Sequence, residues 1–508
     1  MNKSYKILLT GSVIAIGAMG LMANSINSRE AERKEINTGP VVQAEGVASK
    51  NEEWYRYYPR EYDSWKQTKK SDKITDLLRE KPQLAIIWAG YGFAKDYNAP
   101  RGHFYAIQDN INTLRTGAPT GPSNGPMPTA CWTCKSPDVP RLMDEVGENE
   151  FFTGKWAKYG NQIVNPIGCA DCHNSQTGNL GFSRPHLGRA LEASGVNLDE
   201  ITFQDMRTLV CAQCHVEYYF RPTEWTDKTG KTKTAKVVTL PWAKGLSAEN
   251  MEEYYDEYSF KDWTHKISKA PMLKAQHPGY ELFSKGIHAQ NGVSCADCHM
   301  PYKQQGSIKY TDHNIGNPLD DIASTCLTCH RDSEKAFRDR VASKLERKEQ
   351  LMKMAMDTLA AAHLEAGKAW ELGATEAEMQ PVLELLRSGQ WLWDYSIASH
   401  GSFFHSPEET LRLLGVANDK GGKARIKLAA ILAQHGLIGY QVPDFSTKEK
   451  AQALAGVPLQ KLITEKKAFE STLLEQWNEE AVKAGRLDPK TLEGMSNKSS
   501  WSQTELSQ

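Results

Sequence analysis

No cysteine in this 508-residue chain stands alone, because all ten fall in five CxxC pairs. Random placement of that many cysteines would give roughly 0.2 such pairs, so the pairing carries information. Net charge is missing too: 61 basic side chains face 62 acidic ones, which excludes a global field that would gather nucleic acid or an anionic membrane surface. Apolar residues are scarce, at 40% with a mean hydropathy of -0.56. That is lean for a length of two or three domains, and it implies that something besides side chains fills part of the interior. There is no nicotinamide or flavin fingerprint, and no second long apolar run after residue 23.

The first apolar run, Ile7 to Ala23, follows Lys3 and Lys6. It reads as a secretory signal over residues 1–25, with Ala23 and Ser25 forming a small-x-small cleavage site. An uncleaved anchor is the alternative, since the run is just short of spanning length. Either address exports the rest of the chain. Residues 26–50 are polar and are expected to be flexible.

What is present is a near-repeat. "CWTCK" at Cys131 is followed by "CADCH" at Cys169, "CAQCH" at Cys211, "CADCH" at Cys295 and "CLTCH" at Cys326. CxxCH is the attachment signature of c-type haem, in which both thiols bond the vinyl groups and the histidine becomes the proximal iron ligand. Cys169, Cys172 and His173; Cys211, Cys214 and His215; Cys295, Cys298 and His299; and Cys326, Cys329 and His330 fit it. Local disulfides would leave the repeated histidine unexplained and close too short a loop to gain much chain entropy. Zinc knuckles pair one CxxC with another, which five unevenly spaced pairs do not permit.

Turn-rich segments such as Gly117 to Pro128 separate the pairs, so the half from 51 to 331 should be short helices and long loops wrapped on haem. From 332 to 508 the chain should be mainly helical. Helical periodicity runs from Asp332 to Leu372 and stops at Gly373. Thr375 with Glu378 fits a capping box ahead of a helix containing Pro381, Ser406 with Glu409 fits another with Pro407 at the first helical position, and Lys448 to Lys483 is amphipathic. The expected fold is mainly α: a loop-rich, haem-binding half and three or four long C-terminal helices that pack on it or on a second copy.

An electron-transfer haem takes two strong axial ligands, whereas a catalytic one leaves a position open. Four distal ligands are therefore needed from ten other histidines: His103, His186, His265, His277, His288, His313, His363, His400, His405 and His435. The residues alone do not choose among them. Lys135 stands where the other four sites have histidine. It is either a surface lysine beside a degenerate site or the proximal ligand of a fifth haem, for which its amine must give up a proton. One odd haem among four ordinary ones reads as one reactor and four wires.

The order CxxCK then four CxxCH resembles pentahaem cytochrome c nitrite reductase, the ammonia-forming enzyme, from about Trp54 to the C-terminal helices. The resemblance implies five covalently bound haem c, with Cys131, Cys134 and Lys135 holding the active one. It implies distal histidines His313 for the Cys169 haem, His103 for the Cys211 haem, His405 for the Cys295 haem and His288 for the Cys326 haem. It also implies a nitrite pocket of Arg115, Tyr218 and His277, and a Ca²⁺ site of Glu217, the Tyr218 and Lys274 carbonyls and Gln276. Those side chains suit the roles: Arg115 and His277 can hold an anion and supply protons, Tyr218 is a phenolic donor, and Glu217 and Gln276 are hard oxygen ligands. By the same resemblance the protein is a periplasmic homodimer fed by a multihaem cytochrome or quinol-dehydrogenase donor. Contact with a membrane would come through that donor or an uncleaved leader.

Overall fold

The computed structural model describes residues 17, 19–25, 48–489, 491 and 499–503. The expected leader and flexible segment lie mostly outside the described residues. Among the described residues no helix is long and apolar enough to cross a membrane.

The chain is mainly helical. Three long helices dominate the C-terminal part: α1 (Glu334–Glu371), α2 (Glu376–Ala398) and α3 (Pro407–Gln434). Ser333 Oγ caps the start of α1 by accepting from Ala336 N, and Gly373, at φ +92°, takes the left-handed turn beyond its end. Thr375 and Glu378 form the expected box at the start of α2, with Glu378 Oε2 accepting from Thr375 N at 2.6 Å. Pro381 sits within α2 without ending it.

The box expected at Ser406 is absent. Pro407 does occupy the first position of α3, but no side chain caps that end. Glu409 is drawn elsewhere, to the ammonium of Lys285 at 2.7 Å and to Arg412 Nε at 2.7 Å, and two cations outweigh one backbone N–H as partners for a carboxylate. The Lys448 to Lys483 stretch is likewise not continuous. It breaks into α4 (Lys448–Leu454), α5 (Leu459–Glu470) and α6 (Leu473–Lys483), because Gly456 at φ +63° and Pro458 interrupt it once and Ser471–Thr472 again.

The three long helices touch along apolar stripes that include Met356 and Leu359 on α1, Leu386 on α2 and Leu414, Ala417 and Leu428 on α3. Glycine sets their approach: a Cβ on Gly421 would meet Thr358 Cγ2 at 3.0 Å, and one on Gly389 would meet Lys420 Cβ at 3.2 Å. The same core continues into the N-terminal part through Leu84, Ile86, Trp88 and Leu273, with Trp88 and Trp393 rings 5.9 Å apart. Side chains therefore build more of the interior than the lean composition suggested.

The half from 51 to 331 is short helices and loops, with three two-stranded antiparallel ladders that periodicity did not reveal. The longest is β1 (Tyr219–Thr226) with β2 (Thr232–Thr239), pairing Tyr219 with Thr239 through Thr226 with Thr232. Asp227 makes its turn: its Oδ1 accepts from the N–H groups of Thr229 and Lys231, and Gly230 supplies φ +84°. The root of this hairpin is Glu217–Tyr218, so the ladder fixes the direction of two candidate site residues.

Candidate active site

The CxxC segments build their own local frames. In Cys169–Cys172, the intervening Asp171 bonds back to Gly168 N at 2.9 Å; in Cys295–His299, Asp297 and Ser294 form a full capping box. The aspartate within CADCH thus winds the turn that presents both sulfurs and the histidine on one side. None of the ten cysteines is joined to another by a disulfide in this structure. In a haem-loaded protein each thiol would be a thioether, so contacts between them locate attachment sites. Cys134 lies against Cys214, Cys211 against Cys295, and Cys298 near Cys326. Cys172 also falls within electrostatic reach of Cys211. The sites at Cys131, Cys211, Cys295 and Cys326 are therefore neighbours in that order, and the second site in sequence lies beside the Cys211 site.

Each of the four CxxCH histidines faces another imidazole. Ring centroids are 6.2 Å apart for His173 and His313, 6.5 Å for His215 and His103, 6.2 Å for His299 and His405, and 6.2 Å for His330 and His288. A metal–imidazole bond is about 2 Å and the nitrogen stands roughly 1.2 Å from its ring centre, so two imidazoles across one metal ion hold centroids about 6.4 Å apart. The four pairs have that span. In three of the eight rings Nδ1 is taken by a backbone carbonyl: His173 by Gly178 at 2.8 Å, His299 by Gly316 at 2.9 Å and His313 by Thr311 at 2.7 Å. That bond fixes the ring and leaves Nε2 for a metal. Burial holds His103, His173, His215 and His405 down at about 4, in the neutral form that binds iron. The residues present fit haem.

Four of the other histidines are engaged by protein. His186 Nε2 meets Gln213 O at 2.7 Å, His265 Nε2 meets Ile86 O at 2.8 Å, His363 lies between Ser268 and Gln390, and His435 pairs with Glu378 at 3.2 Å. His277 and His400 remain, and His277 lies within electrostatic reach of Lys135.

Lys135 follows a 3-10 turn, Thr129–Trp132, and its backbone N–H bonds to Trp132 O at 2.9 Å. Among the described residues no hydrogen bond or ion pair occupies its amine. Around Cys131, Cys134 and Lys135 stand the three expected pocket residues. Tyr218 and His277 have ring centroids 6.4 Å apart, and Arg115 lies within electrostatic reach of Cys131. Arg115 is aimed by its surroundings: its guanidinium carbon sits 4.2 Å from the centre of the Phe93 ring, and its Nε donates to Thr113 Oγ1 at 3.3 Å. The two terminal nitrogens have no protein partner among the described residues. Burial pushes His277 well below the usual imidazole range and the Tyr218 phenol well above its own. The pocket therefore offers a permanent cation, a neutral imidazole and a phenol that keeps its proton.

Behind Tyr218 lies an acidic cluster that sequence reasoning found only at Glu217. Glu217 accepts from Gln276 N at 2.6 Å and from the Tyr255 hydroxyl at 3.0 Å. Glu281 receives Glu217 N at 2.9 Å and Trp242 Nε1 at 2.9 Å, and Asp262 receives Lys274 N at 2.8 Å. Asp394, from α2, pairs with the Lys274 ammonium at 2.9 Å. Burial raises all four acids, Asp262 to about 7 and Glu281 to about 8. Three buried carboxylates, Glu217, Glu281 and Asp394, with the half-buried Asp262 beside them, face one buried ammonium, a deficit of positive charge that a divalent cation would fill. Gln276 Nε2 donates to Lys274 O at 3.2 Å, so Glu217, the Lys274 carbonyl and the Gln276 amide are already gathered. One carboxylate with carbonyl and amide oxygens suits a hard, flexibly coordinated ion, and among the described residues no group of three or more His, Cys, Asp or Glu side chains converges on a metal point. These residues fit Ca²⁺. The three acids missed in sequence carry no spacing signal, since only packing brings them together.

A mainly helical chain with five CxxC segments and facing imidazoles defines a multihaem cytochrome c. Residues 50–488 match the cytochrome c552 family, and the chain belongs to it. Cytochrome c-552 of Maridesulfovibrio salexigens is 64% identical over 486 residues, 96% of this chain and 97% of that protein. Cytochrome c-552 of Aliarcobacter butzleri is 56% identical over 501 residues, covering 98% and 100%. Among solved structures, the catalytic subunit of cytochrome c nitrite reductase from Desulfovibrio desulfuricans, described for its two calcium sites, superposes with a TM-score of 0.69 at 29% identity, covering 79% of this chain and 90% of that one. Membership of a cytochrome c family implies haem c and oxidoreductase chemistry, and the likeness to that structure supports nitrite reduction at a cytochrome c.

Proposed function

We propose that the protein reduces nitrite to ammonium with six electrons and eight protons, releasing two waters, at a haem held by Cys131, Cys134 and Lys135. One observation carries this reading: four CxxCH histidines each face a second histidine, while Lys135 stands instead among Arg115, Tyr218 and His277. When bound there, the haem supplies an iron face for nitrite and the electrons that reduce it. His173 with His313, His215 with His103, His299 with His405 and His330 with His288 would hold four further haems, which would supply electron relay to that site.

The protein's own groups do the rest. Arg115 offers its two unpartnered nitrogens to the anion, neutralising it and fixing its orientation. His277 enters neutral, and the bound anion raises its proton affinity, so it takes up protons and passes them on to oxygens that leave as water. Tyr218 donates through its phenol without forming a phenolate. Glu217, the Tyr218 and Lys274 carbonyls and Gln276 would hold Ca²⁺, whose charge would compensate the buried acids and tie together the loops that carry Tyr218 and His277.

The protein is also proposed to work in the periplasm as a homodimer through its C-terminal helices. A multihaem cytochrome or quinol dehydrogenase supplies electrons, and membrane contact comes through that donor or a retained leader. The deciding experiment is ammonium stoichiometry with a reduced dye and the five-haem protein. Six electrons per ammonium are expected; no nitrite consumption, with all haems low-spin, would mark a plain electron carrier instead.

A further inference from the structure

The turn that carries Arg115 is gripped from behind by two buried polar side chains from distant parts of the chain. Asp96, 1% exposed, accepts with one oxygen from the Thr113 hydroxyl at 2.9 Å and from Leu114 N at 3.0 Å. Lys466, 0% exposed and on α5, donates to Thr116 Oγ1 at 3.2 Å and Gly117 O at 2.9 Å. Thr113 Oγ1 in turn accepts from Arg115 N and Nε, both at 3.3 Å, so Asp96 reaches the guanidinium through one hydroxyl. Leu114 is buried with Ile463 and Trp501, Trp501 Nε1 donates to Asn112 O at 2.9 Å, and Ser500 Oγ donates to Asp96 Oδ1 at 3.0 Å. A methionine of similar length would fill the Lys466 site without the cost of taking an amine out of water. What methionine would lack is a grip on the two residues after Arg115.

We infer that Asp96 and Lys466 are positioning residues for Arg115, and that α5, with Ser500 and Trp501, is the back wall of the anion pocket. This rests on the reading of Arg115 as the nitrite-binding group. With the turn held at both ends, the guanidinium is ordered before the anion arrives, and the ordering cost is removed from binding.

The test uses the five-haem protein. Optical titration with nitrite gives equilibrium Kd, steady-state assays separate KM from kcat, and amide exchange reads the 110–118 segment. Lys466→Met and Asp96→Asn are expected to raise Kd and KM about tenfold, to change kcat less than about twofold, and to speed exchange at 113–117 with haem content kept. Arg115→Gln is the reference. If it weakens nitrite while Lys466→Met and Asp96→Asn do not, the positioning role is overturned and the pocket stands; if Arg115→Gln itself leaves Kd unchanged, the pocket reading falls and takes the positioning role with it. Should Lys466→Met fail to accumulate, Thr116→Val removes the hydroxyl that Lys466 bonds, together with its bonds to Asn110 O and Thr113 O, and unchanged Kd and exchange there would equally overturn the positioning role.

Discussion

His173 and His313 face each other with ring centroids 6.2 Å apart, and each gives its Nδ1 to a backbone carbonyl of its own loop. They come from different parts of the chain, and each bond leaves the ring's Nε2 available to a metal ion. A direct hydrogen bond would need them closer.

His313→Ala is therefore expected to leave five haems attached while converting one from low-spin to high-spin. Electron paramagnetic resonance at constant haem content checks this. His435→Gln serves as control, since His435 pairs with Glu378 rather than with another imidazole, and its spectrum should match wild type.

Lys135→His should keep haem at Cys131 and Cys134 but lower nitrite turnover tenfold or more, about 1.4 kcal/mol of barrier at the least. Turnover per haem, measured with a reduced dye, decides whether an amine below the iron matters. Unchanged turnover would remove the special role given to the lysine.

Chelation of Ca²⁺ at fixed haem content should depress nitrite reduction, and added Ca²⁺ should restore it. Glu217→Gln should lower activity and abolish the response to chelator, because it removes the carboxylate that the loops of Tyr218 and Gln276 share. Activity indifferent to thorough chelation counts against the site.

The buried histidines His265 and His363, with centroids 3.8 Å apart, predict acid sensitivity. Burial lowers both, His265 well below the usual range and His363 to about 4. Their depressed folded values favour folding above an unfolded value near 6.5, and that stability is lost as pH falls toward 4, by about 1.4 kcal/mol per pH unit for each histidine. His363→Gln should flatten the fall in melting temperature between pH 6.5 and 4.5. Parallel curves for variant and wild type would show that the pair does not govern acid unfolding.

Legibility in the sequence follows range. Helix α1 and the box at Thr375 were readable because caps and periodicity act within a few residues. Ser406 misled for the converse reason: Glu409 looked like a capping partner until Lys285, far away in sequence, brought its ammonium beside it. The β1–β2 hairpin had a signal in Asp227 and Gly230 that loops around it obscured. Among the ten histidines, spacing made no distinction between His363, now held by Ser268 and Gln390, and His313, now opposite His173.

The sequence by itself determined the attachment chemistry, because two thiols and an axial nitrogen lie within five residues and need only a turn to converge. It also determined that one of the five sites differs, since Lys135 replaces histidine at a fixed offset. Tertiary structure alone decided which imidazole stands across from which, which attachment sites are neighbours, and the acidic cluster of Glu217, Asp262, Glu281 and Asp394. Those depend on where packed helices bring distant loops, and no local pattern encodes that meeting.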